Sequence, residues 1–401
     1  MSQRIINNIS AALVEKQGVD FSNINEDDHF IFFVNGGTLT YDQDTETKVS
    51  GQLDVSLAAR GYNSSEDFSA YIIRTYVKIY INQTDRGGKK LIATMLPSIK
   101  DMDNIGVVYQ GSLELKSTLC ALTENQVRKT SLKKNSNVYR KFCQYVKNYA
   151  CEGLQTVVTD IGSDKKNLKF KKNKVFQSGT TVYEIMNYMA KLMGAYITVN
   201  AKGQIYLKSK SAATTWHRFS DYRADYKKNS KRPNVITSNI TISDSGVAIN
   251  RVIATFEKTE NKTTTRHYSK PVILTSGNDY SRRNLGRDIT QVIKCSEEEL
   301  EDKGANMNSA SSIKNKLTAI AKDKLLEAAE QNYTYTFKCP YVDEIKLRDR
   351  VTLLLGEYKE PYALRISAFD IDLSNGCEMT LTCNSSYRPN VSAQTGTAAK
   401  L

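Results

Sequence analysis

Residues 179–207, GTTVYEIMNYMAKLMGAYITVNAKGQIYL, constrain the fold more than any other stretch, because inside them the apolar period changes from that of a helix to that of a strand. Thr181 and Glu184 have the spacing of a capping box, in which each side chain accepts the other residue's unpaired backbone N–H. Val182, Ile185, Met186, Met189 and Met193 follow at steps of three and four, one apolar stripe on a helix of about three and a half turns. Gly194 closes it, since glycine enters the left-handed region without a Cβ penalty. Tyr196, Thr198 and Asn200 then alternate with Ile197 and Val199. The chain turns at Ala201, Lys202 and Gly203, and Ile205 and Leu207 return as a second strand. The stretch packs and turns, and the methionines read as its core.

The same two periods sort the rest. At 401 residues the chain exceeds one ordinary hydrophobic core, so several domains are expected. Residues 1–20, with Arg4, Glu15 and Lys16 among Ile5, Ile6, Ile9 and Leu13, read as a short amphipathic helix. Residues 29–41 read as two short strands around Asn35, Gly36 and Gly37. Residues 48–57 are a half-buried strand in which Val49, Leu53 and Val55 alternate with polar neighbours, and residues 72–82, with Ile79 on the apolar face, are another. Residues 83–90 are a loop tip, 91–96 the returning partner, and 105–119 a long strand pair or bent strand. Residues 1–120 are thus an antiparallel β domain of five to seven strands, a curved sheet or small barrel.

Residues 121–212 form an α+β insertion domain: a helix capped by Asn137 and stopped by Gly153, a strand at 154–160, a lysine-rich loop, then the helix and hairpin described above. Residues 211–232, which hold the only tryptophan, Trp216, read as a polar crossing segment. Residues 213–305 begin a second β domain, with strands over 233–258 around a turn at 243–246, an exposed hairpin or loop over 261–286, and a second capping box at Ser296 and Glu299. Residues 306–390 hold the longest helical pattern, 309–331, with Ile313, Leu317, Ile320, Ala321, Leu325 and Ala328 on one side, and a closing β unit; residues 391–401 read as a disordered tail. The class is α+β and multidomain.

Chemistry is sparse. The seven cysteines have no zinc-site spacing and read as small hydrophobes, Cys143 and Cys339 among them; the three histidines, His29, His217 and His267, lie far apart. No nucleophile elbow, HExxH, phosphate loop or CxxC is present, so no catalytic residue, metal or cofactor is expected. Paired carboxylates such as Asp27 and Asp28 read as surface. No apolar run approaches the roughly 20 residues of a membrane helix, and the first 20 residues lack the apolar core of a secretion signal, so synthesis and retention in the cytoplasm are expected. The net charge of +13 is concentrated in two runs, Arg128 to Lys141 and Lys165 to Lys174. Such runs can track a phosphate backbone, yet no recognised nucleic-acid motif surrounds them and they read as solvated loops.

Three segments carry a resemblance: residues 179–207, residues 234–256 with Asn250-Arg251-Val252, and residues 309–383 with the Leu347-x-Asp349-x-Val351 pattern, in which Arg348 stands where many relatives have glycine. Their order resembles the baseplate hub and tail-associated proteins at the tip of bacteriophage tails and related injection machines. That resemblance implies two antiparallel β-barrel-like ring domains per subunit, with the α+β insertion domain and a long helix near the C-terminus. It implies a homotrimer that joins the hexameric tail tube or distal tail protein to a spike, tip or tape-measure protein and leaves a channel for the genome, with transient DNA contact. The virion tail tip, assembled in the host bacterial cytoplasm, would be its location. Thr38, Val49, Leu53, Val55, Ile79, Met186, Met189 and Val252 are the candidate structural or interface residues; all but the two methionines lie on the strands 38–57, 72–81 and 235–256, expected to wall the ring by pairing their edges. Two alternatives stand beside this: a peptidoglycan-degrading tail enzyme, for which the chain ending at Leu401 is expected to leave no room, and a basic nucleic-acid-binding protein.

Overall fold

The computed structural model describes residues 7–16, 31–58, 72–83, 88–105, 108–210, 214–220, 235, 240–244, 249–260, 263–276, 280–330, 333–343, 345–354, 362–374 and 377–385. Arg4, Ile5, Ile6, His29, the tip at 84–87, much of the crossing segment, the turn at Gly356 and the tail 391–401 lie outside these residues. Two compact units result: Met1–Thr214 with Pro340–Asp343 and Ala368–Thr380, and Thr215–Cys339 with Glu344–Ser367 and Leu381–Leu401.

The first unit opens with six strands: β1 (Asn7–Glu15), β2 (Ile31–Asp42), β3 (Val49–Ala58), β4 (Thr75–Gln83), β5 (Gly88–Ile105) and β6 (Val108–Ser117). They pair antiparallel in the order β1-β4-β5-β6-β3-β2, and β1 also meets β2 through Ala11↔Phe32 and Ala12↔Ile31. Both faces of β4 are buried, Val77, Ile79 and Ile81 on one side and Tyr76, Lys78 and Tyr80 on the other.

Two sequence expectations fail here for definable reasons. The N-terminal segment is a strand and not a helix. Ala11, Ala12, Leu13 and Val14 are all buried, so no polar face marks the alternation, and nine residues of β1 pair with β4. The Asn35-Gly36-Gly37 triplet does not turn the chain. It absorbs a bulge within the single strand β2, where the register with β3 shifts between Val34 and Gly36. Gly37 sits at φ 133°, and a Cβ there would come within 2.2 Å of the Gln52 carbonyl oxygen. The stretch 105–119 holds the end of β5 and its partner β6, which pairs with both β5 and β3.

The α+β part of this unit follows as α1 (Cys120–Thr123), β7 (Thr130–Leu132), α2 (Val138–Tyr149), β8 (Val157–Thr159), α3 (Ser163–Lys166), β9 (Lys174–Phe176), α4 (Val182–Leu192), β10 (Ala195–Val199) and β11 (Ile205–Ser209). Asn137 Oδ1 accepts from the Arg140 N–H at 2.7 Å to cap α2, which ends at Tyr149, ahead of Gly153. On α4 the capping box is complete: Thr181 Oγ1 accepts from the Glu184 N–H at 3.1 Å and Glu184 Oε2 accepts from the Thr181 N–H at 2.8 Å. Gly194 takes φ 65° at the helix end. Met186, Met189 and Met193 are buried with Phe142, Val146, Ile197 and Leu207 in one core. The sheet runs β10-β11-β8, and the β8–β11 pairing is parallel, so the chain must cross over between them; α4 lies on that crossover. The hairpin turn docks on β5 and the end of β6, where Thr94 Oγ1 donates to the Ala201 carbonyl at 2.8 Å and Thr118 Oγ1 to that of Gly203 at 2.7 Å.

The chain continues with β12 (Trp216–Ser220), β13 (Thr241–Asp244), β14 (Arg251–Glu260), β15 (Thr263–Tyr268), β16 (Val272–Ile273), α5 (Arg282–Leu285), β17 (Thr290–Lys294), α6 (Glu297–Asp302), α7 (Ala310–Glu330), β18 (Tyr333–Pro340), β19 (Arg350–Leu354), β20 (Tyr362–Asp372) and β21 (Glu378–Ser385), all of the second unit except Pro340, Ala368–Asp372 and Glu378–Thr380. The C-terminal part of β20 pairs with β2 inside the first unit, from Thr38↔Asp372 to Asp42↔Ala368. Strands β20, β21, β18 and β13 follow in ladder order, and β19 joins β20 to β12. Trp216, expected in a crossing segment, instead starts β12, which runs parallel to β19. A separate sheet holds β15, β14, β16 and β17, and α7 packs its Ile313, Leu317, Ala321 and Leu325 on Val252, Ala254 and Phe256 of β14. The second capping box holds as well, with Ser296 Oγ accepting from the Glu299 N–H at 3.2 Å. The main helix's last inward residue is Ala329, with Ala328 only half-buried.

Candidate interface

The eight candidate residues separate by depth. Only Thr38 is exposed; it lies on β2 between Gln52 of β3 and Asp372 of β20. Val49, Leu53 and Val55 of β3 and Ile79 of β4 are buried in the first unit's strands, Met186 and Met189 in the α2–α4 core, and Val252 under α7. These seven side chains hold their own chain together. The strands expected to form one wall also divide, because β14 belongs to a sheet other than that of β2, β3 and β4.

What the fold offers to partners is backbone edge. Among the described strands, β13 pairs with β18 alone, and all four of its residues are exposed. In the separate sheet β15 and β17 each pair only with β14, and Tyr268 and Val292 project from them as exposed apolar side chains. Among the described strands these stand at sheet edges, and an edge strand invites a partner strand or a cover.

Two segments singled out in the sequence become structural joints. Asn250 is buried; its side chain accepts from the Ile289 N–H at 2.7 Å and donates to the Arg287 carbonyl at 2.8 Å, while Arg251 pairs with Asp288 at 3.2 Å. In the Leu347-x-Asp349-x-Val351 turn, Arg348 has φ 73°, a conformation that explains why glycine suits this place. Asp349, buried, accepts from the Lys346 N–H at 3.0 Å and lies 3.1 Å from His217 Nε2 on β12. That pair spans 132 residues, and no local pattern announces it.

Burial pushes the thiols of Cys120, Cys295 and Cys377 up to about 11 and that of Cys383 higher still, away from the thiolate a nucleophile requires. His217 faces Asp349 and His267 stacks on Phe256. Among the described residues no group of three or more His, Cys, Asp or Glu is placed to hold a metal, and no helix is long and apolar enough to cross a membrane. A small cavity of about 40 Å³, lined by Tyr41, Val49, Thr94, Met95, Val199 and Asn200, has room for a water molecule.

The fold, with its strand ladder, inserted α+β part and helix-backed second sheet, is that of phage tail proteins. A tail protein from Neisseria meningitidis MC58 superposes with a TM-score of 0.60 at 10% identity, over 94% of this chain and 97% of that one. The 43 kDa tail protein of prophage MuSo2 from Shewanella oneidensis does so at 0.56 and 9% identity, over 95% and 99%. A chain of the lidded PdpA–VgrG complex of Francisella matches at 0.55 and 11% identity, over 97% of this chain and 54% of that one. No family model and no curated protein sequence matches the chain.

Proposed function

We propose that this protein is a structural hub of a phage-type tail tip or baseplate. The observation that carries the reading is end-to-end likeness: almost the whole chain superposes on almost the whole of two tail proteins, which leaves no large part of the fold devoted to something else. In this reading three copies form a ring around a channel for the genome, joining the tail tube or distal tail protein to a spike or tip. Residues 1–120 and the β parts of 213–390 line it as ring domains, and residues 121–212 stand as the insertion. The return pairing of β1 on β2 supports a barrel-like first domain. The open edges of β13, β15 and β17 are natural seams between subunits or toward neighbours, with Thr38 an exposed position on the strand ladder.

Electron micrographs of the purified protein, with its mass measured by light scattering, test the proposal. A three-fold ring with an open centre and the mass of three chains is expected. A monodisperse monomer at micromolar concentration overturns the ring.

A further inference from the structure

The net positive charge is not a property of the chain as a whole. Residues 125–178 hold thirteen Lys and Arg against three Asp and Glu, so ten of the thirteen net charges lie in this one segment. Its two basic runs are separated by α2 and β8, yet the fold stitches them side by side. Leu132 of β7 pairs with Lys174 of β9, and Asn137 bridges to Lys169. Between these, the Lys134 N–H donates to Asn173 Oδ1 at 2.8 Å, the Asn135 N–H to the Phe170 carbonyl at 2.9 Å, and the Phe170 N–H to the Ser136 carbonyl at 3.0 Å. Phe170, an apolar interruption of the lysine run, and Phe176, just beyond its end, are buried anchors that fix its backbone. Lys133, Lys134, Lys169 and Lys171 are left exposed on one ordered face. The ion pair of Lys165 with Asp164 at 3.9 Å joins two exposed side chains and screens little.

We propose that this face binds the phosphate backbone of double-stranded nucleic acid without reading its sequence. Gathering like charges on a hydrogen-bonded framework opposes folding unless an anion occupies the face. The kind of anion follows from what accompanies the lysines. Protein interfaces are depleted in Lys at their core and anchored by large apolar side chains, whereas here Val175 is the one exposed large apolar side chain among the described residues of the segment. Single strands are held by exposed aromatic platforms, and this face has none; Lys166 lies over the Tyr139 ring at 5.5 Å, and Lys174 covers Phe176 at 5.2 Å and Tyr188 at 5.4 Å. Point charges in rows with neither apolar nor stacking anchors suit phosphates of a duplex. The charge of this face does not depend on a ring, and a missing ring in micrographs would leave the proposal standing.

The full chain is titrated into a fluorescein-labelled duplex of random sequence, and anisotropy is read at stepped NaCl. With roughly four to six phosphate contacts, affinity falls about 10²–10³-fold between about 50 and 200 mM salt. The triple variant Lys133→Glu, Lys169→Glu, Lys171→Glu loses at least about tenfold at the lower salt and about 2–3 in the salt slope. A control of equal charge change at exposed positions elsewhere, Lys191→Glu, Lys314→Glu, Lys322→Glu, stays within about twofold of the parent. If the reversed variant does not keep the parent melting temperature, the same three sites changed to Gln replace it. Equal losses in both triples, no binding at the lower salt, or tighter binding to polyglutamate, to anionic vesicles or to a single strand than to the duplex each overturn the proposal.

Discussion

The helices α4 and α7 look alike as patterns and differ in how they are held. Helix α4 buries Val182, Tyr183, Ile185, Met186, Met189 and Ala190 within three turns, and its partners α2, β10 and β11 lie close by in the chain. Helix α7 is nearly twice as long and buries Ile313, Leu317, Ala321, Leu325 and Ala329, a stripe advancing by four. Four residues at 3.6 per turn overshoot by about 40° each time, so that stripe slants around the helix to follow its sheet. Its partner strand β14 precedes it by some fifty residues, across a hairpin and two short helices. One helix is embedded by its neighbours in sequence; the other is a cover laid on a distant strand. Local patterning therefore goes further toward specifying the first arrangement, and long-range closure completes the second.

That contrast can be broken by substitution. Met189→Ala is expected to cost about 2–5 kcal/mol, toward the upper end because the site is enclosed and cannot collapse. Hydrogen exchange should quicken throughout 127–209 and leave 251–330 protected; loss of protection in both would show that α4 is not a module of its own. Leu317→Ala should cost about 2–3 kcal/mol, since a helix on one sheet face settles into the gap more easily, with exchange rising over β14 and α7 instead. Next in size is Thr181→Ala, which removes one half of the capping box for about 1 kcal/mol in urea unfolding; Ser296→Ala at α6 should match it, as both boxes have the same geometry. Smallest is Leu326→Ser on the outward side of α7, where half the side chain already meets water. A shift beyond about 0.5 kcal/mol in thermal melts would mean that this face is covered in solution.

Where local chemistry repeats, the sequence was readable. Both capping boxes, the Asn137 cap and the Met-lined stripe follow from spacings of three and four, and β3 announced itself through Val49, Leu53 and Val55 alternating with polar residues. Six of the eight candidate residues lie on such strands and two on the Met-lined helix, and the same regularity that makes them conspicuous puts seven of the eight in the core. Apolar periodicity reports burial in the chain itself; an interface shows instead as unpaired edges and charge placement, which need neighbours to be known. For the same reason β1, buried on both faces, presented no polar stripe, and the glycine pair in β2 mimicked a turn.

By itself, then, the sequence determined the local elements with strong periods and caps, the core side chains of α4 and α7, and the scarcity of reactive groups, because each depends on residues within a turn or two of one another. Tertiary structure alone decided which strands became neighbours, including the parallel pairing of β8 with β11, the meeting of His217 with Asp349, and the merging of two lysine runs into one face. These depend on contacts across tens to hundreds of residues, and no local spacing encodes where a chain will return.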